Sequence, residues 1–126
     1  HRWSGAVPEG RTVLAQLRTA HHGLLMNLSL CYLQERSTTF PPQPVRVLEC
    51  CVDALLLEPG NVTALVRKGK ALALLQMHAQ AEVEFMRALQ LEPTSGSARR
   101  ELEAARVAAR EKERCMIDQA VRDIVA

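Results

Sequence analysis

The stretch Ala54-Leu55-Leu56-Leu57-Glu58-Pro59 returns further along the chain as Ala88-Leu89-Gln90-Leu91-Glu92-Pro93. Self-similarity at a fixed period marks stacked supersecondary units, and a period of about 34 residues suits a helix–turn–helix repeat. One complete unit lies between the two prolines. Its first helix is expected from Asn61 through Val62-Thr63-Ala64-Leu65-Val66-Arg67-Lys68-Gly69-Lys70-Ala71-Leu72. Its second is expected through Gln80-Ala81-Glu82-Val83-Glu84-Phe85-Met86-Arg87-Ala88-Leu89. Gly69 is small and sits midway along the first helix, while Ala81, Phe85 and Ala88 alternate small, large and small along the second. Small residues let two antiparallel helices approach, and the large one fills the space left between them. Pro93 closes the unit because proline lacks an N–H and clashes with the preceding turn.

The unit before it fits with one insertion. Its second helix carries Val47, Cys51, Ala54 and Pro59 at the corresponding places, and its first carries Leu25, Leu28, Ser29 and Tyr32. The two helices stand six residues further apart in sequence than those of the complete unit. The extra length falls at 35–44, where Pro41, Pro42, Pro44 and a Ser/Thr cluster predict a loop. Phe40 or Val45 is expected to turn inward and close the pair. Pro41-Pro42-Gln43-Pro44 also offers a weak match to a proline-rich peptide ligand, against which a plain surface loop is preferred.

After Pro93, Thr94, Ser95 or Ser97 offers a helix cap. No Pro or Gly follows in 98–125, so one long helix is expected over about 97–125. Ala98, Leu102, Ala105, Ala109, Met116, Ala120 and Ile124 form a stripe at helical spacing. It suits a capping helix, which a solenoid needs over its last apolar face. At the other end, residues 1–10 contain Pro8 and two glycines and are expected to be disordered. The first helix pair then occupies about 11–58, with one helix or two broken near Gly23, and the second about 61–92. Two repeats fall short of the usual three. The expectation is that a preceding repeat is missing and that the exposed first helix invites self-association.

Composition narrows the function. The chain has 126 residues, 48% hydrophobic and 24% charged, which suits one folded domain. Only Trp3, Tyr32, Phe40 and Phe85 are aromatic, and Ala and Leu dominate, so the fold class is all-α. A net charge of +2 gives no footprint for nucleic acid, and no apolar run is long enough for a membrane span. Cys31, Cys50, Cys51 and Cys115 form no C-x-x-C pair and read as small thiols in a reducing compartment. His21 and His22 are adjacent rather than four apart, and His78 stands alone, so no metal site is expected. Gly60, Gly69 and Gly96 are isolated and make no phosphate loop; no cofactor and no catalytic set are read.

The pieces Leu24-Leu25-Met26-Asn27-Leu28-Ser29-Leu30-Cys31-Tyr32-Leu33, Asn61 through Ala71, Ala88 through Pro93, and Lys112-Glu113-Arg114-Cys115-Met116 together resemble a branch of the tetratricopeptide-repeat proteins. They look like the C-terminal half of the large immunophilins and of the aryl-hydrocarbon-receptor-interacting protein, over about residues 24–125. The resemblance implies helical hairpins stacked in an α–α superhelix with a long C-terminal capping helix. It also implies a cytoplasmic, non-enzymatic co-chaperone module. The isomerase-like domain of such proteins is absent from this stretch, and the resemblance leaves room for one in the parent chain.

Those proteins hold the acidic C-terminal tail of heat-shock chaperones in a carboxylate clamp on their inner helices. Carried over, Asn27 matches the clamp asparagine, Arg67 matches the clamp arginine, and Thr63 replaces a clamp lysine. Lys70 is a further groove contact. The residues agree in place: Asn27 precedes Ser29 by two as Arg67 precedes Gly69, and stacked repeats set equivalent places side by side. Thr63 lies one turn before Arg67 on the same face. A planar guanidinium suits a carboxylate, and an amide can hydrogen-bond either a carboxylate or a carbonyl. The competing readings are an intramolecular salt bridge for Arg67 and a helix–helix hydrogen bond for Asn27. A second function class is a structural module that docks a client protein through the capping helix or the exposed first helix. Residues 99–114, with six basic and four acidic residues, also admit a calmodulin-type segment, although large apolar anchors are sparse there.

Overall fold

Five helices account for the described part of the computed structural model, which covers residues 2–34 and 41–126, with side chains described from residue 12 on. They are α1 (Arg2–Leu33), α2 (Pro44–Leu57), α3 (Val62–Leu74), α4 (His78–Leu91) and α5 (Gly96–Val125). The local chemistry explains their ends. Pro44 opens α2 at its first position, where a missing N–H costs nothing. Asn61 caps α3 by accepting from the Ala64 N–H at 3.0 Å, and Ser95 caps α5 by accepting from the Ala98 N–H at 3.2 Å. The Glu-Pro pairs Glu58-Pro59 and Glu92-Pro93 stand immediately beyond α2 and α4.

Each helix packs on the next, and α3 also touches α1 and α5, whereas α2 and α4 do not meet. The result is two rows, α1–α3–α5 and α2–α4, the stacked helical hairpins of a tetratricopeptide-type fold.

The two hairpins solve one packing problem with different residues. In the second, Phe85 is fully buried and its ring fills the space over Gly69. A Cβ at position 69 would come within 2.7 Å of the ring Cζ and 2.8 Å of Cδ1. In the first, Cys51 takes the place of Phe85 and Ser29 that of Gly69, both fully buried. The smaller partner on α2 leaves room for a side chain on α1. Leu65, Val66 and Leu72 of α3, Ala81 and Ala88 of α4, and Ala98, Leu102 and Ala105 of α5 join Phe85 in one core. Leu25, Cys50, Ala54 and Ala64 form a second cluster between α1, α2 and α3.

Several expectations shift. Residues 2–10 belong to α1 instead of standing apart from the folded chain. Pro8 and the glycines argued against helix there, since an interior proline loses a hydrogen bond and clashes with the preceding turn, yet α1 runs through them. Gly23 does not break α1; it has open space around it. Val45 is 56% exposed and does not close the first hairpin. Phe40 and the rest of 35–40 lie outside the described residues. The α5 stripe docks through Ala98, Leu102 and Ala105, but Met116 and Ile124 are exposed. Beyond Ala105 its contacts are polar and partial: Arg106 pairs with Glu82 of α4 at 3.0 Å, and Lys112 donates to the Gln76 carbonyl at 3.4 Å.

Gly69→Ala tests the central packing. Alanine gains about 1 kcal/mol of helix propensity over glycine, but overpacking a tight core costs about 1–3 kcal/mol. With the ring fully enclosed, a net loss of stability is expected in denaturant unfolding. Adding Phe85→Leu should recover part of that loss, a coupling readable from a double-mutant cycle.

Candidate functional site

The inner row of helices is concave enough to hold a depression of ≈ 240 Å³. Leu30 and Leu33 of α1 form one side of it. Thr63, Val66, Arg67 and Lys70 of α3 form the floor, and Glu92, Ser95 and Ser97 close the far side. Three of the four residues predicted from sequence, Thr63, Arg67 and Lys70, therefore share one site. Asn27 is exposed on α1, one turn before Leu30, and is not part of its lining.

Arg67 is half-buried and tied to the preceding repeat. Its Nη1 donates to the Met26 carbonyl at 2.7 Å and to the Ser29 hydroxyl at 3.2 Å. Ser29 in turn donates to the same Met26 carbonyl at 2.7 Å. A buried hydroxyl must find partners, and Ser29 finds both within this cluster. The partners of Arg67 are a carbonyl and a hydroxyl rather than the carboxylate of a salt bridge. A guanidinium has five donors in a planar fork, and the bonds to α1 use only Nη1.

Behind this cluster lies Cys51. Burial pushes its thiol up to about 11, offset in part by the hydrogen bond with Ser29 and by the Arg67 charge. Burial likewise raises Cys50, assisted by the nearby carboxylates Asp53 and Glu49. Both are protonated thiols at neutral pH, poor nucleophiles and poor metal ligands. Cys31 and Cys115 are exposed and unbridged.

Lys70 pairs across the inner face with Glu101 of α5 at 3.9 Å. Glu101 stands one repeat period after Arg67, so a carboxylate occupies in α5 the place that a guanidinium holds in α3. Glu92 in the lining and Glu101 beside it set two carboxylates against Arg67 and Lys70. Sequence reasoning passed over Leu30, Glu92 and Ser97. The repeat period was the usable signal, since Ser97 follows Thr63 by that same interval.

The first hairpin is fastened to the second at another point. His22 Nε2 of α1 lies 3.0 Å from Asn61 Nδ2 and 3.2 Å from Glu58 Oε2. The Asn61 amide is oriented by its capping bond, which directs its oxygen to the Ala64 N–H.

Among the described residues there is no group of three or more His, Cys, Asp or Glu placed to hold a metal ion. Among them also, no helix is long and apolar enough to cross a membrane.

Arg67→Ala is expected to lower stability by about 1–3 kcal/mol, since it deletes charged hydrogen bonds and leaves Ser29 under-satisfied. Arg67→Lys should recover only part of this, because one ammonium lacks the planar fork. Urea denaturation of the three proteins measures both effects.

No family model matches the chain. It is similar to "Tetratricopeptide repeat protein 9C" of Xenopus tropicalis, with 33% identity over 85 residues, which is 68% of this chain and 46% of the relative. The chain thus spans about half the length of this curated relative. The internal repeat, the two rows of helices and this likeness agree on a tetratricopeptide-type fold of helical hairpins.

Proposed function

We propose that this chain is a protein-interaction module that takes an extended, carboxylate-bearing peptide along its inner helices, as a co-chaperone takes a chaperone tail. The observation that carries the reading is the depression shared by Thr63, Arg67 and Lys70, with apolar Leu30, Leu33 and Val66 beside them. Cations next to apolar patches suit a peptide that ends in alternating acidic and aliphatic residues. The likeness to a tetratricopeptide-repeat protein supports a protein partner in general terms, and the fold gives no support to an enzymatic role.

The charge balance sets the strength expected. Lys70 is shared with Glu101, and Arg67 gives one of its two terminal nitrogens to α1. Thr63 supplies a hydroxyl where the resembled proteins carry an ammonium. One missing charged hydrogen bond is worth about 1.5–3 kcal/mol, or roughly ten- to a hundredfold in affinity. Binding of an acidic tail is therefore expected to be weak.

A second reading has its own observation. Met116, Ile117, Val121 and Ile124 are all more than half exposed on the far part of α5. That face suits client docking by the capping helix.

Calorimetric titration with a peptide ending in Met-Glu-Glu-Val-Asp, beside its amidated twin, separates the two. The groove reading expects weak binding that amidation abolishes and that Thr63→Lys tightens about tenfold, an exposed substitution that leaves the fold intact. Absence of binding to both the parent chain and the Thr63→Lys variant would sink it and leave the α5 reading.

A further inference from the structure

The outer surface carries a second channel, independent of the inner depression. Because α2 and α4 flank α3 without meeting, a channel of ≈ 440 Å³ runs between them with α3 as its floor. Val52, Leu55 and Leu56 of α2, Leu65 of α3 and Leu91 of α4 make it apolar. Leu56 is 78% and Leu91 54% exposed, so its rim carries large aliphatic side chains in water.

Two cations, Lys68 and Arg87, also line the channel. Both face one carboxylate: Glu84 Oε1 is 3.3 Å from Lys68 Nζ and 3.5 Å from Arg87 Nη1. The Glu84 side chain is only 9% exposed, and its Oε2 has no hydrogen-bond partner among the described residues. Two positive charges against one negative leave one in excess, beside an apolar trough.

We propose that this channel docks an amphipathic helix of a partner protein, with aliphatic residues seated between α2 and α4 and one carboxylate set against Lys68 and Arg87. A trough between two parallel-running helices is the groove that a third helix fills by ridge-and-groove packing. Helix-in-groove recognition reads aliphatic anchors at i, i+3, i+4 and i+7. The surplus cation selects an acidic helix over a basic one. In such an interface the charge sets partner choice and encounter rate, and the aliphatic anchors supply most of the affinity.

The probe is a capped helical peptide with leucines at i, i+3, i+4 and i+7 and one glutamate beside the stripe, compared with a twin whose glutamate is lysine. Each is titrated into the full chain and followed through the methyl NMR signals of Val52, Leu56 and Leu91. The expected result is methyl shifts confined to the channel and at least tenfold tighter binding of the acidic peptide. Arg87→Gln should abolish that preference while the aliphatic binding persists, and Leu56→Asp should abolish both. Both replaced side chains are largely exposed, and unchanged unfolding midpoints verify the folds. Equal binding of the two peptides, or no channel shifts with either, overturns the proposal. So does sedimentation showing that two copies of the chain associate through this face and that Leu56→Asp separates them. The Met-Glu-Glu-Val-Asp peptide should not displace the helical probe, which keeps this outcome distinct from that of the inner groove.

Discussion

The Phe85 ring occupies the place where a side chain at position 69 would be, and the spacing of three helices follows from that contact. With glycine at 69, α3 and α4 close on each other across the ring. The same ring packs in a core that includes Ala98, Leu102 and Ala105, so the seat of α5 is fixed by it as well. The first hairpin lacks this contact, and its Cys51–Ser29 pairing brings the helices together with less apolar volume. Its compensation is polar. The hydroxyl that glycine could not have supplied receives Arg67 and ties α1 to α3.

That substitution binds packing to recognition. Arg67 faces the inner depression, yet its bonds to Met26 and Ser29 help hold the repeats together. The inner surface and the joint between hairpins thus rest on the same guanidinium. The outer channel divides these duties between two cations, and Lys68 of α3 holds the buried Glu84 of α4. Arg87 there is 60% exposed, and it is tied to Glu84, three residues earlier on its own helix, in a pairing that contributes little to stability.

The repeat was legible because packing imposes it residue by residue. Gly69, Ala81, Phe85 and Ala88 can be read as a hairpin without coordinates, since each answers a steric demand of its neighbour. Arg67, Thr63 and Lys70 could be set on one face from helical spacing alone. Other features left no local trace. Nothing in the residues around Arg67 announces that it bonds a carbonyl forty-one positions back, because such a bond depends on how two repeats stack. The absence of Asn27 from the depression has the same origin. Arg67 reaches back to Met26 and Ser29, and Leu30 and Leu33 rather than Asn27 line the depression from α1, so equivalence in sequence does not guarantee a shared pocket. The helicity of 2–10 ran against local propensity, and past Ala105 the α5 stripe meets α4 and the α3–α4 turn only partly, through Arg106, Lys112 and Met116.

The unburied part of α5 has a mechanical consequence. Beyond Met116, where with Lys112 it still borders the α3–α4 turn, the helix continues to Val125, about 14 Å at 1.5 Å per residue. Such a rod, held at one end, is a lever. A rotation of about 10° at its base sweeps the tip through roughly 2 Å over that length. Glu101, which pairs with Lys70 on the inner face, lies about four turns earlier on the same helix, so the seat that carries the rod also borders the groove.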